Sequence, residues 1–398
     1  MPDSPLTCLD LWFRAGSSNE EPGEEGIAHF LEHMVFKGST NNETGEFDRK
    51  IEALGGSSNA ATGFDDVHFY VLVPPKVVGP ALELLLELVL QPALLPNAFS
   101  MEREVVLEEI AQHNDQPDER VFQKLLSNCW ARHSYGRPIL GYEKSLKGCN
   151  PDNMRSFHKR MYTAENCCLS IAGKIPKKIE QLIENSLLSH LETTSAQVQN
   201  NSEDSTLIFN KFRKEFEVPR LESARLIMAW PVAPAGEQIA VMGADIATSI
   251  LAEGRRSRLV QRLREDLQKV ESIDMDVSAL EKGGLILLEA CCKEEDLEIV
   301  ESEVHQVLKD TVITSLGEQE LDRACRLVRN GFFFNLEATS QVAGLAGSQS
   351  LWHRPQPLLT PLQHLSYWSE SRLKDETFMQ LQPENSCTLI AKPIDTQT

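Results

Sequence analysis

The stretch Gly26-Ile27-Ala28-His29-Phe30-Leu31-Glu32-His33-Met34-Val35-Phe36-Lys37-Gly38 decides how the rest of the chain is read. Its polar core is H-x-x-E-H, formed by His29, Glu32 and His33. In a helix, His29 and His33 are four residues apart and project from one face. Two imidazoles so placed can hold one Zn²⁺ at about 2.0–2.1 Å each. Glu32 lies in the same turn, near enough to take a proton from a water that the metal activates. The order is the reverse of the commoner zinc-binding H-E-x-x-H. A solvated helix face would be bordered by polar residues, whereas Ile27, Phe30, Leu31, Met34, Val35 and Phe36 surround these three. Titratable groups in apolar surroundings need a partner, and a metal provides one.

A catalytic zinc usually takes a third protein ligand and leaves a fourth position open. The run Met101-Glu102-Arg103-Glu104-Val105-Val106-Leu107-Glu108-Glu109-Ile110 offers four carboxylates on a second expected helix. Glu102 and Glu109 share one face, Glu104 and Glu108 another. Periodicity leaves the choice between the faces open. Taken together, H-x-x-E-H, the following F-K-G-S and the E-R-x-V-V-x-E-E-I segment resemble the pitrilysin/insulinase family of zinc metallopeptidases, in particular its mitochondrial-processing-peptidase-like branch. That resemblance implies Glu109 as the third ligand, with Glu108 as the alternative, and Glu102 as the outer carboxylate on the same face. It implies Zn²⁺ as cofactor and Glu32 as general base. It also places Phe36, Asn59, Ala60 and Ala61 on the peptide-binding surface.

The 398 residues are too many for one ordinary core, so two domains are expected. Apolar residues make up 41% and charged residues 25%, as in a soluble globular protein. A formal net charge of −20 argues against nucleic-acid binding and is compatible with an acidic cavity for basic peptides. The most apolar segment, Ala81–Leu90, is too short to span a bilayer and carries Glu83 and Glu87, so it reads as a buried helix. The start, Met1-Pro2-Asp3-Ser4, has neither a basic n-region nor an Arg-rich transit pattern. The nine cysteines form no C-x-x-C pair and read as reduced core thiols, which points to a cytoplasmic protein.

In chain order, Leu6–Phe13 reads as a strand. Relatives in the family usually carry one more strand ahead of it, so a bare sheet edge or a start further upstream is expected. Glu46–Leu54 has helical spacing and stops at Gly55-Gly56. Val67–Val73 reads as a strand closed by Pro74-Pro75. On its residues alone, Asn59-Ala60-Ala61-Thr62 reads as a turn and strand start. By resemblance it is the family's N-A-x-T edge strand, whose small side chains let a substrate backbone pair alongside. His68 and His133 read as structural. Gln123–Trp130 reads as a helix and Tyr162–Gly173 ends in a strand.

The second half repeats the first. Glu165-Asn166-Cys167-Cys168-Leu169-Ser170-Ile171-Ala172 matches Glu384-Asn385-Ser386-Cys387-Thr388-Leu389-Ile390-Ala391 at an offset of 219 residues. Leu11-Trp12 falls on Ala229-Trp230 at 218, and Gly26 on Gly243 at 217. Anchors at both ends with nearly one offset favour duplication. In that register His29, Glu32 and His33 fall on Ile246, Ser249 and Ile250, so the repeat has no ligands. Leu251–Leu259 also resembles the family's second-domain L-G-x-G-x-x-S-R-L segment, with Ala252 replacing the first glycine.

The expected fold is therefore α+β, with two homologous domains, each an antiparallel β-sheet with packed helices as in processing peptidases. The expected limits are 1–191 for the zinc-binding domain, 192–206 for a polar linker and 207–398 for the homologous domain without metal. The expected activity is zinc-dependent endopeptidase action on unfolded peptides; the alternative is a non-catalytic core or scaffold subunit. Relatives complete the site with an Arg/Tyr pair from the second domain, but Glu281–Lys293, where the pair would fall, contains neither residue. A homodimer, or a heterodimer with a similar subunit supplying the pair, is expected, with no nucleic acid and no membrane span.

Overall fold

A computed structural model describes residues 1, 3–191 and 207–394; the expected linker 192–206 lies outside the described residues. The first half contains strands β1 (Thr7–Phe13), β2 (Ser57–Thr62), β3 (Val67–Val73) and β4 (Cys167–Gly173). Its helices are α1 (Ile27–Val35), α2 (Glu46–Ala53), α3 (Val78–Leu90), α4 (Pro96–Asp115), α5 (Pro117–Cys129), α6 (Glu143–Gly148), α7 (Pro151–Met161) and α8 (Ile179–Glu184). The second half contains strands β5 (Phe212–Val218), β6 (Ala224–Val232), β7 (Ser272–Leu280), β8 (Gly283–Cys292) and β9 (Cys387–Pro393). Its longer helices are α9 (Gln238–Leu251), α10 (Leu297–Ile313), α11 (Glu318–Asn335) and α12 (Thr339–Leu351).

The first sheet has the order β2-β3-β1-β4, antiparallel throughout. In β3 burial alternates strictly, so Val67, Phe69, Val71 and Val73 face the main core while His68, Tyr70 and Leu72 lie half-buried on the other face. Strand β1 lacks that alternation and is buried at every position. Helices α1 and α3 cover one of its faces, and α12, from far along the sequence, packs on the other. Only glycine fits there at position 347, since a Cβ would sit 2.4 Å from the Trp12 indole nitrogen. Arg14 fastens the end of α12, donating to the Leu351 carbonyl with its guanidinium over the Trp352 ring.

The second sheet has the order β5-β9-β6-β8-β7, with β5 parallel to β9 and the other pairs antiparallel. Four of its strands repeat the first sheet, β7, β8, β6 and β9 standing where β2, β3, β1 and β4 stand. The fifth, β5, has no counterpart beside β4 among the described residues. Each sheet also packs a helix from the other half of the sequence. Asn335–Gln356, which contains α12, groups with the first unit, and Asn114–Gly136, which contains α5, with the second. In the second unit the Cys129 and Cys387 sulfurs, on α5 and β9, are buried 3.1 Å apart.

Candidate metal centre

Helix α1 forms because an apolar stripe of Ile27, Phe30, Leu31, Met34 and Val35 packs into the first core. The three polar residues lie on the rest of its circumference, turned toward α4 and β2. Helix α4 buries Phe99, Glu102, Val106 and Ile110, which brings Glu109 beside the imidazoles. The His29 Nε2 lies 3.8 Å from Glu109 Oε1, and the His33 Nε2 lies 3.5 Å from Glu109 Oε2. His29, His33 and Glu109 offer three ligand atoms within 4.8 Å of one another, the one such group among the described residues. Glu108, one residue away, is exposed and outside it.

These residues suit a zinc ion. Ligands about 2.0–2.2 Å from a tetrahedral zinc stand about 3.3–3.6 Å apart, and the 3.5 Å from His33 Nε2 to Glu109 falls in that range while the 3.8 Å from His29 Nε2 is slightly longer. Two imidazoles and one carboxylate are a donor set found in catalytic zinc sites. His29 is 9% exposed, and its Nδ1 is buried with no hydrogen-bond partner among the described residues. Burial, with His33 beside it, lowers its pKa to about 4, so near neutral pH it is an uncharged imidazole ready to donate a lone pair.

The surrounding side chains fix the rest. The buried carboxylate of Glu102 bonds His33 Nδ1 at 2.9 Å through Oε1 and Lys37 Nζ at 2.8 Å through Oε2. With the His33 proton on Nδ1, its Nε2 is left for the metal side. Glu32 lies beside the ligands; burial is the main influence raising its pKa, while a hydrogen bond from Thr62 Oγ1 to Oε2 acts against it. Thr62 reaches Glu32 because the β2–β3 register puts it opposite Val67, on the core side of the sheet. Sequence reading gave Thr62 and Lys37 no role, although both lie in stretches it singled out.

Asn59, Ala60 and Ala61 lie on β2, which has a strand partner on one side only among the described residues. The Ala60 amide there is taken up by the Asn59 side-chain oxygen at 2.9 Å. Phe36 closes α1 and is half-buried against Phe47 and Phe69. His68 bonds the buried Asp10 at 2.9 Å and stacks on Trp12, and His133 Nδ1 accepts from the Tyr135 amide at 3.1 Å. Both histidines are engaged in packing and hydrogen bonds. No helix among the described residues is long and apolar enough to cross a membrane.

Comparison with known proteins gives a consistent picture. Residues 2–143 match the model of the insulinase family, peptidase family M16, and residues 148–328 match the model of the peptidase M16 inactive domain. An uncharacterized zinc protease of Rickettsia bellii is 28% identical over 330 residues, covering 83% of this chain and 78% of that protein. An uncharacterized zinc protease of Bacillus subtilis is 26% identical, with 86% and 82% covered. Among solved structures, a protease from Helicobacter pylori superposes with a TM-score of 0.88 at 23% identity, covering 98% of this chain and 95% of that one. A peptidase M16 inactive domain from Pseudomonas fluorescens gives 0.86 at 17%, with 100% and 95% covered.

Proposed function

We infer the activity from the family as premise: the chain belongs to the insulinase (M16) peptidases, and on that footing it is a zinc-dependent endopeptidase of unfolded peptides. The observation that carries this reading is the convergence of His29, His33 and Glu109 beside a half-buried Glu32. Zinc held by the three ligands would supply Lewis-acid activation of water and of the scissile carbonyl. Glu32 takes the proton of the attacking water on its carboxylate and later gives it to the leaving amine. Its raised pKa brings it toward the range in which one carboxyl can do both. Thr62 keeps Oε2 oriented, and Glu102 keeps the His33 proton on Nδ1. The open side of β2 is the place for an extended substrate backbone, with Asn59, Ala60 and Ala61 too small to obstruct it and Phe36 nearby.

The Arg/Tyr pair of relatives would fall on Glu281–Lys293, most of which is β8, and this chain has neither residue there. A similar subunit carrying such a pair is therefore the proposed partner, as a homodimer or a heterodimer, giving the substrate carbonyl the hydrogen-bond donors its developing charge needs. The test is cleavage of an unfolded polypeptide by zinc-loaded protein, alone and with a homologue that lacks H-x-x-E-H, with products identified by mass. Cleavage should be slow alone and faster with the partner. Glu32→Gln should keep zinc and lose several orders of magnitude in kcat. If Glu32→Gln stays within about tenfold, a barrier change near 1.4 kcal/mol, Glu32 is not the base. Zinc binding without cleavage in either arrangement would favour the non-catalytic subunit instead.

A further inference from the structure

We propose that Glu20 is a positioning residue for the metal site: its carboxylate grips the first turn of α1 and thereby sets His29. The inference rests on the metallopeptidase reading and adds a residue outside the ligand set. Glu20 is 6% exposed, and its carboxylate is bonded by the start of this helix. The Gly26 amide donates to both carboxylate oxygens at 3.1 Å, and the Ala28 amide donates to Oε1 at 3.0 Å. These are amides a helix start leaves without intrahelical partners, where an anion is favoured. Position 26 itself cannot supply the cap. Its φ is +95°, and a Cβ there would stand 2.5 Å from the Leu140 carbonyl oxygen, so glycine is required and a capping side chain is excluded. His29 follows directly on Ala28, whereas His33 lies a turn further on and has Glu102 to hold it.

The repeat supplies an independent contrast. At the offset of 217 residues Glu21–Gly26 falls on Gln238–Gly243, which is already helical in α9 and looped in the first unit. The ligand-free repeat thus runs its helix straight through the place where the ligand-bearing one stops and takes a carboxylate. That carboxylate is held at a cost: burial pushes its pKa up to about 8, against the pull of the two amides and Arg137. In either protonation state an oxygen still accepts from the helix.

The experiment measures Zn²⁺ affinity by chelator competition and the visible spectrum of the Co²⁺-loaded protein, with thermal unfolding of the metal-free form alongside. Glu20→Gln replaces one of the two acceptor oxygens with an NH₂ donor, and Glu20→Asp keeps both oxygens but shortens their reach. Glu21→Gln, exposed in the same loop, is the control. Both Glu20 variants should bind zinc about tenfold more weakly, the loss typical of a disturbed ligand support, and should shift the cobalt spectrum. Should Glu20→Gln fail to fold, Glu20→Asp carries the test. Variants that unfold earlier yet bind both metals like the parent would overturn the positioning role alone. A parent that binds neither metal would overturn the metallopeptidase reading, and this inference with it.

Discussion

Replacing Glu102 by Gln keeps the side chain's volume but leaves one acceptor oxygen where the carboxylate has two. In the parent those oxygens serve His33 Nδ1 at 2.9 Å and Lys37 Nζ at 2.8 Å, in a side chain that is 8% exposed. The amide can accept from only one of them and must turn its NH₂ toward the other. With the oxygen toward Lys37, His33 Nδ1 becomes the acceptor and its proton moves to Nε2, the nitrogen that faces Glu109 at 3.5 Å and that zinc requires unprotonated. With the oxygen toward His33, the Lys37 ammonium is left without its counter-charge. Loss of such an outer partner weakens metal binding by about 10–100-fold. That corresponds to about 1.4–2.7 kcal/mol. Competition with a chromogenic chelator at neutral pH measures it, with Glu104→Gln, exposed on the same helix, as the control. A Glu102→Gln zinc affinity within about threefold of the parent would refute the assignment of Glu102 as the support of His33.

Dialysis against a mild chelator should strip zinc from Glu109→Gln and leave it in Glu108→Gln; the opposite outcome would move the ligand one residue back. The metal-free protein should also lose stability on acidification through His29. Its folded pKa of about 4 lies below the ordinary 6.5, so between these values the unfolded chain binds a proton the folded one does not. This contribution is present above about 6.5 and lost as the pH falls toward 4. Melting temperatures from pH 7.5 to 5 should therefore fall more steeply for the parent than for His29→Gln, and equal slopes would exclude His29 as the cause.

Helix α1 was legible in the sequence because its apolar stripe and its H-x-x-E-H spacing describe the same helix from two sides. Strand β3 was legible because alternation survives where one face is covered. Strand β2 was harder, since Ser57–Thr62 is small and polar and takes its form from pairing with β3. Nothing local in the Thr339–Leu351 segment says that it will cover β1, because the fit depends on Gly347 meeting Trp12 more than 300 residues away. Glu109 and Glu108 could not be separated by periodicity, since each shares a face with another carboxylate. Packing of Val106 and Ile110 into the core turns Glu109 toward the imidazoles and Glu108 outward. Glu20 escaped sequence reading because a cap supplied from six residues ahead of the N-cap Gly26 follows no capping pattern.

The central claim is that His29, His33 and Glu109 together hold one zinc ion. X-ray absorption at the zinc edge of the purified, zinc-loaded chain tests it most directly, because nine cysteines offer a competing set of ligands. Two imidazole nitrogens and additional oxygen at about 2.0–2.1 Å, with no sulfur shell and with the signal lost in His33→Ala, is the predicted result. A sulfur shell at about 2.3 Å, or a spectrum unchanged by His33→Ala, would contradict it.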